Sequence, residues 1–146
     1  MDMPNISAVQ EDYLEAIITL ESERGRVRVR DLSEKLGVHK STVTAALKML
    51  TEKGLIDYEP YGQIILKAEG RDAAERVAGR HQLLHQFLQD VLLVDADMAE
   101  KNACRMEHVM DPGVLRRVEQ FYAYLQQCEA GSCPWVAGFR DYLEQA

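Results

Sequence analysis

The sequence predicts a mainly α-helical protein: an N-terminal winged helix-turn-helix domain with a small β-hairpin wing, then an all-helical second domain. Three observations lead there. Two short helical stretches meet at Gly37-Val38, the outline of a helix-turn-helix. The apolar pattern then turns strand-like across residues 55–66, with Pro60-Tyr61-Gly62 as turn chemistry between the two runs. From Glu69 onward the helical period returns and dominates the rest of the chain.

Each element has its own signal. Residues 8–21 place Val9, Tyr13, Leu14, Ile17, Ile18 and Leu20 at amphipathic spacing, with Ser7 as N-cap and Gln10 closing a capping box. Glu23-Arg24-Gly25-Arg26 reads as a turn, and Val27 to Val29 as an extended approach. Asp31 to Leu36 is a short helix that Gly37 ends in a left-handed cap. A second helix runs from about His39 to Lys53, closed by Gly54. The strands are expected over Leu55 to Glu59 and Gln63 to Leu66, with Tyr61 and Gln63 near the tip of the wing. One long helix is expected from Glu69 to about Val91, and two more over 96–109 and 112–127, with Pro112 in the first turn of the later one. A last short helix falls near 136–144. The domains are therefore expected at 1–68 and 69–146.

Composition narrows the function. The 146 residues are 47% apolar and carry 24 acidic against 17 basic residues, a net charge of -7. That is unlike a generic, strongly basic nucleic-acid binder. No run of 18 apolar residues exists, and Met1-Asp2-Met3-Pro4 does not start a signal peptide, so a cytoplasmic protein is expected. Three cysteines are too few for a disulfide scaffold. No nucleotide-binding or nucleophile-elbow fingerprint appears, so most enzyme classes have no starting point.

Charge is not spread evenly. Between Ser22 and Gly54 stand eight basic residues against four acidic ones, inside a chain that is acidic as a whole. The second helix opens His39-Lys40-Ser41-Thr42-Val43-Thr44, short hydroxyls with a lysine and an imidazole that can reach base edges and phosphates. Ser41, Thr42, Thr44 and Lys48 are expected to touch DNA, with His39 and Tyr61 alongside and Arg26, Arg28 and Lys40 on phosphates. The competing reading is a helical hairpin with a solvated basic face, in which Ser41 and Thr44 only cap or face solvent.

Three helices carry metal-ligand types one turn apart. Asp12 and Glu15 share a face of the first helix, His81 and His85 a face of the long helix, and Cys104, Glu107 and His108 a face of the next. Thiolate, carboxylate and imidazole together suit a divalent transition metal better than calcium or magnesium. Taken singly, each has a plainer explanation: a solvated Glu15, a dipole-facing Asp12, a core-edge His81, a small buried Cys104.

With those residues, the chain resembles the diphtheria-toxin-repressor and manganese-transport-regulator family of metal-dependent repressors, in its two-domain form. The resemblance runs over about residues 8–127 and rests on Glu11-Asp12-Tyr13-Leu14-Glu15, on Asp31 to Val38 with Ser41 to Thr44, on Arg80 to Leu84 with Phe87-Leu88, and on Cys104 to Met110. It implies a homodimer, a helical dimerisation domain, a palindromic double-stranded DNA operator and repression of metal-uptake genes. It carries ligand roles onto Asp12, Glu15, His81, Cys104, Glu107 and His108, and an ancillary site onto His85 and Glu100. The pattern is a hybrid. Manganese-type members have a carboxylate where Cys104 stands, and iron-type members have a methionine where Asp12 stands. Fe2+ and Mn2+ are both admitted, with Co2+, Ni2+ and Zn2+ as substitutes in vitro, and one or two ions per subunit.

Two other functions compete with a metal-activated repressor: a winged-helix regulator sensing a non-metal signal, and a metal-dependent hydrolase built on Glu107-His108. The second lacks an H-E-x-x-H or equivalent motif, so an enzyme is not expected. Cys128 and Cys133, four residues apart and followed by Pro134-Trp135, match nothing in the family. A structural pair, a metal clip and a redox pair are all compatible with that spacing, the structural reading being preferred.

Overall fold

A computed structural model describes residues 5–128 and 133–146. Among them are seven helices and one two-stranded antiparallel hairpin. The chain divides into two compact units, the first ending at Ala78 and the second beginning at Gly79.

In the first unit, α1 (Ala8–Arg24) starts at the expected capping box: Ser7 Oγ accepts from the Gln10 amide at 3.3 Å, and Gln10 Oε1 accepts from the Ser7 amide at 3.1 Å. Its buried face is Gln10, Tyr13, Leu14, Ala16, Ile17 and Leu20. The Gln10 amide earns its place inside by also accepting from Lys53 Nζ at 2.7 Å. Next, α2 (Val29–Leu36) begins two residues earlier than the hydrophobic pattern suggests. The reason is a cap made by a downstream carboxylate, Asp31 Oδ2, which accepts from the Arg28 amide at 2.9 Å. Gly37 ends the helix at φ 66°, the left-handed conformation that glycine adopts without steric cost.

The second helix of the pair, α3 (Lys40–Glu52), takes His39 as N-cap and buries Val43, Leu47 and Leu50. The wing follows as β1 (Ile56–Asp57) and β2 (Ile65–Leu66), in register Ile56 to Leu66 and Asp57 to Ile65. Both strands are shorter than the sequence pattern. The Leu55 amide is diverted to close α3 onto the Leu50 carbonyl at 3.0 Å, and only its carbonyl still pairs across the hairpin, with the Lys67 amide at 3.0 Å. At the other end Pro60 has no amide to donate, and Tyr61 sits at φ 65°. Val27, expected only as an approach, gives its carbonyl to the Ile64 amide at 2.9 Å and so flanks the wing.

The long helix α4 (Ala68–Asp90) opens in the first unit and continues into the second. Its first turns are fixed by close approach. A Cβ on Gly70 would lie 1.9 Å from the Leu55 carbonyl oxygen, so no other residue fits without moving backbone. Arg71 reinforces this through one guanidinium nitrogen, Nη2, which donates to both Glu21 carboxylate oxygens at 2.8 and 2.9 Å. Ala73 and Ala74 join the same core as the α1–α3 leucines, so the first unit includes these turns as well as residues 5–68.

The second unit contains the rest of α4, then α5 (Ala96–Met106), α6 (Pro112–Gln126) and α7 (Pro134–Gln145). Asp95 caps α5 and Asp111 caps α6, with Pro112 at the start of α6 as its fixed φ favours. The small core is Leu84, Leu88, Ala99, Ala103 and Leu115. Here α5 stops at Met106 rather than running to 109, because the Val109 and Met110 amides both turn back to the Met106 carbonyl, at 3.1 and 3.0 Å. Among the described residues, no helix is long and apolar enough to cross a membrane.

Candidate metal centre and nucleic-acid interface

The metal-ligand types of the second unit converge because of a stripe on α5. Ala99, Ala103 and Glu107 lie four residues apart, hence on one face, and all three are fully buried. The two alanines let α5 lie close against the Leu84–Leu88 face of α4, and the stripe ends on a carboxylate. Glu107 is the C-cap of α5, its amide bound to the Ala103 carbonyl at 3.0 Å, while the Arg80 guanidinium donates to its carbonyl at 3.3 Å.

The surroundings of that carboxylate are the site. His81 Nδ1 is 2.9 Å from Glu107 Oε2, and His108 Nε2 is 3.2 Å from Oε1. The thiol of Cys104, the Glu107 carboxylate and the His108 imidazole present ligand atoms within 4.8 Å of one another. Cys104 itself is exposed and His108 is half-buried, so the cluster opens to the surface on the cysteine side. On the far side of His81, Nε2 meets Glu100 Oε2 at 3.1 Å, and the same oxygen lies 3.7 Å from His85 Nε2. His81 and His85 stack with ring centroids 6.3 Å apart. Asp12 and Glu15 sit one turn apart on α1, both half-buried, in the first unit.

The donor set fits a divalent transition metal on an observation independent of the motif. Glu107 Oε1 is buried and makes no hydrogen bond, although His108 lies near it. An ionised oxygen withdrawn from water without a donor is expensive, of the order of several kcal/mol, unless a cation meets it. Around Glu107, Cys104 and His108 form one ligand-distance group and His81 belongs to another; thiolate, carboxylate and imidazole are ligands for Fe, Mn, Co or Zn. The His81 ring meets a carboxylate at each nitrogen; a metal-binding imidazole would keep one of these as its orienting partner and turn the other nitrogen to the ion.

The residues expected at DNA lie together on the surface of the first unit. Ser41, Thr42, Thr44 and Lys48 form the exposed face of α3, opposite buried Val43, Leu47 and Leu50. His39, Lys40, Arg26 and Arg28 are exposed beside them. Thr44 Oγ1 also donates back to the Lys40 carbonyl at 2.9 Å, so its hydroxyl is partly committed to the helix. Tyr61 is wholly exposed on the wing. A cleft of about 440 Å³ between wing and helices is lined by Arg28, Arg30, Lys40, Thr44, Tyr58 and Tyr61. Arg30 was not among the expected contacts. It pairs with Glu34 at 2.8 Å, and the only sequence signal for it is the alternation of arginine through positions 24, 26, 28 and 30. Arg80 is the other residue missed; its role depends on a carbonyl 27 positions away, which no local pattern announces.

Comparison with known proteins bears on both surfaces. Residues 5–64 match the model of the iron-dependent repressor N-terminal DNA-binding domain. Residues 67–135 match that of the iron-dependent repressor metal-binding and dimerisation domain. The HTH-type transcriptional regulator MntR of Bacillus subtilis (strain 168) is 32% identical over 120 residues, covering 82% of this chain and 84% of that protein. MntR of Geobacillus kaustophilus (strain HTA426) is 34% identical over 119 residues, with the same shares. Among solved structures, a manganese-dependent transcriptional repressor in complex with manganese superposes with a TM-score of 0.73 at 30% identity, over 79% of this chain and 53% of that one. The manganese regulator SloR does so with a TM-score of 0.70 at 25% identity, over 79% and 54%. The chain thus spans about half the length of those solved relatives and most of the length of the two MntR proteins.

Proposed function

The chain belongs to the iron-dependent repressor family, and on that premise we propose that it is a cytoplasmic, metal-activated repressor that binds a palindromic operator as a homodimer and controls metal-uptake genes. The observation that carries the metal half of this reading is Glu107: a fully buried carboxylate, one oxygen without a hydrogen bond, ringed by His81, His108 and Cys104. The ligand set we propose is Asp12, Glu15, His81, Cys104, Glu107 and His108, with His85 and Glu100 as ancillary donors. Residue chemistry and the family resemblance support Asp12 and Glu15; short side-chain distances support the others.

A bound Fe2+ or Mn2+ supplies the positive charge that this acidic cluster lacks. The residues do the rest. Asp12 and Glu15 come from the DNA-reading unit and the other four from the helical one, so filling the set ties the two. When the set is unfilled its carboxylates repel, and the reading heads sample many separations. When it is filled, one spacing that suits successive major grooves is favoured, roughly 34–36 Å or a multiple of it. Metal and operator then raise each other's affinity, with a coupling of about 1–3 kcal/mol typical of such linkage. On DNA, Arg26, Arg28 and Lys40 take phosphates, while His39, Ser41, Thr42, Thr44 and Lys48 face the base edges and Tyr61 follows the wing. A thiolate at Cys104 leans the site toward Fe2+, whereas Asp12 and Glu15 lean it toward Mn2+.

The test is an anaerobic operator-binding titration of the metal-free protein with Mn(II), Fe(II), Co(II) and Zn(II). Activation by Fe(II) or Mn(II), lost in Asp12→Ala without loss of folding, is the expected result. Undiminished operator affinity after chelation would overturn the metal-activated reading in favour of a non-metal signal. Lys40→Ala should lower the salt slope of binding by about one unit and weaken all sequences alike; an unchanged slope would misplace the docking face.

A further inference from the structure

Away from the metal-ligand cluster, the second unit has a cavity of about 220 Å³ where the end of α6 meets the start of α7. Cys128 and Cys133 both line it, with Tyr122, Asp90, Val136 and Arg140 on the other walls. The two thiols are placed there by helix ends. Cys128 follows the last turn of α6, its amide bound to the Leu125 carbonyl at 3.1 Å. Cys133 is the N-cap of α7, its carbonyl taking the first-turn amide of Ala137 at 3.0 Å. Both side chains are half-buried and not disulfide-bonded, and they line one cavity.

We propose that Cys128 and Cys133 form a peroxide-reactive dithiol, with Cys133 the attacking sulfur and Cys128 the resolving one. The asymmetry follows from surroundings. The neighbouring Cys128 side chain, and then the first turn of α7 that Cys133 caps, hold the Cys133 thiol below its ordinary range. The Cys133 side chain, with burial, pushes the Cys128 thiol up. This is the poise of a nucleophile with its resolving partner lining the same cavity. A metal clip is the weaker fit. Among the described residues no third donor joins the two thiols at ligand distance, and the Asp90 carboxylate accepts a 2.6 Å hydrogen bond from Tyr122.

The chemistry balances with a hydroperoxide as oxidant. The Cys133 thiolate attacks one peroxide oxygen; the S–O bond forms, the O–O bond breaks, and the departing hydroxide takes the Cys128 proton to become water. The Cys128 thiolate then attacks Cys133 Sγ; the S–S bond forms, the S–O bond breaks, and the second hydroxide takes the proton that Cys133 released on ionising. Two thiols are oxidised to a disulfide and one hydrogen peroxide is reduced to two waters. The product staples the end of α6 to the start of α7.

The experiment treats the full-length protein with stoichiometric hydrogen peroxide, blocks residual thiols by alkylation and maps peptides by mass spectrometry. The expected result is a Cys128–Cys133 disulfide with Cys104 still alkylatable. Cys128→Ser should accumulate a sulfenic acid at Cys133 that a dimedone probe traps, whereas Cys133→Ser should leave Cys128 unlabelled. Cys104→Ser should form the disulfide as wild type does, which separates this site from the metal ligands. A disulfide through Cys104, equal labelling of Cys128 and Cys133 in the two serine variants, or Zn(II) bound in a way that Cys128→Ser abolishes and Cys104→Ser does not, would overturn the proposal.

Discussion

The two units solve the burial problem differently. The first gathers an aliphatic cluster from Leu14 through Leu66 to Ala74, sixteen buried apolar residues among those described. The second gathers only five into its cluster, two of them alanines, and encloses a carboxylate beside them. Exposure runs the other way. Of thirteen large apolar side chains left in solvent among the described residues, nine lie in the second unit, including Phe121, Tyr124, Trp135 and Tyr142. Large exposed apolar surface on a small unit marks an interface, and a buried carboxylate calls for a donor or a cation beside it. The first unit has a self-sufficient apolar core; the helical unit leaves its apolar surface and its buried carboxylate for a partner and a metal to complete.

That contrast predicts its largest effect at Glu107. Glu107→Gln keeps the shape and removes the charge. Metal at about 100 times its Kd stabilises a folded protein by about 2.7 kcal/mol, and the variant should lose that gain together with metal-activated operator binding. A thermal-shift titration with Mn(II) or Fe(II) checks it. A wild-type shift would mean that the buried carboxylate is structural.

Leu50→Ala tests the self-sufficiency of the first unit. The side chain is fully buried, and its truncation should cost about 2–5 kcal/mol. Urea unfolding monitored in each unit should show the first transition moving and metal affinity staying. A single shared transition that moves as one would break the contrast.

Phe121→Asp tests the incompleteness of the second unit. Phe121 is 46% exposed, tilted against Phe87 with ring centroids 6.3 Å apart, beside exposed Leu92 and Trp135. As an aromatic anchor its loss should weaken dimerisation by about 2 kcal/mol or more, roughly 30-fold. Sedimentation across a concentration series reads this directly. An unchanged dimer constant would place the interface elsewhere on the exposed surface.

The smallest effect is at Gly79, the first residue of the second unit and a helix-interior glycine in α4. A Cβ there meets nothing within 4 Å, so Gly79→Ala should stabilise by about 0.5–1 kcal/mol through helix propensity. Denaturant midpoints check it. Destabilisation would show that the backbone at 79 uses a conformation alanine resists.

By itself the sequence determined what depends on neighbours in the chain. The Ser7–Gln10 box, the Gly37 cap, the Asp111–Pro112 start of α6 and the helix-turn-helix order are all written within a few residues, because helix ends are satisfied locally. The residue types at the candidate metal site were legible from spacing, although α5 ends at Met106 and the turn beyond it, not a helix face, carries Glu107 and His108. What only the tertiary structure decided involves groups far apart. The strands shortened to two residues each because α3 claims the Leu55 amide, and α2 lengthened because Asp31 reached back to cap it. The burial of Glu107 depends on two alanines letting α5 approach α4, and Gly70 is indispensable only because the Leu55 carbonyl lies against it. Cys128 and Cys133 were two unmatched residues until two helix ends placed them on one cavity. Local hydrogen bonding is short-ranged and therefore readable along the chain; burial, and the charge or reactivity that burial creates, belongs to the packed whole.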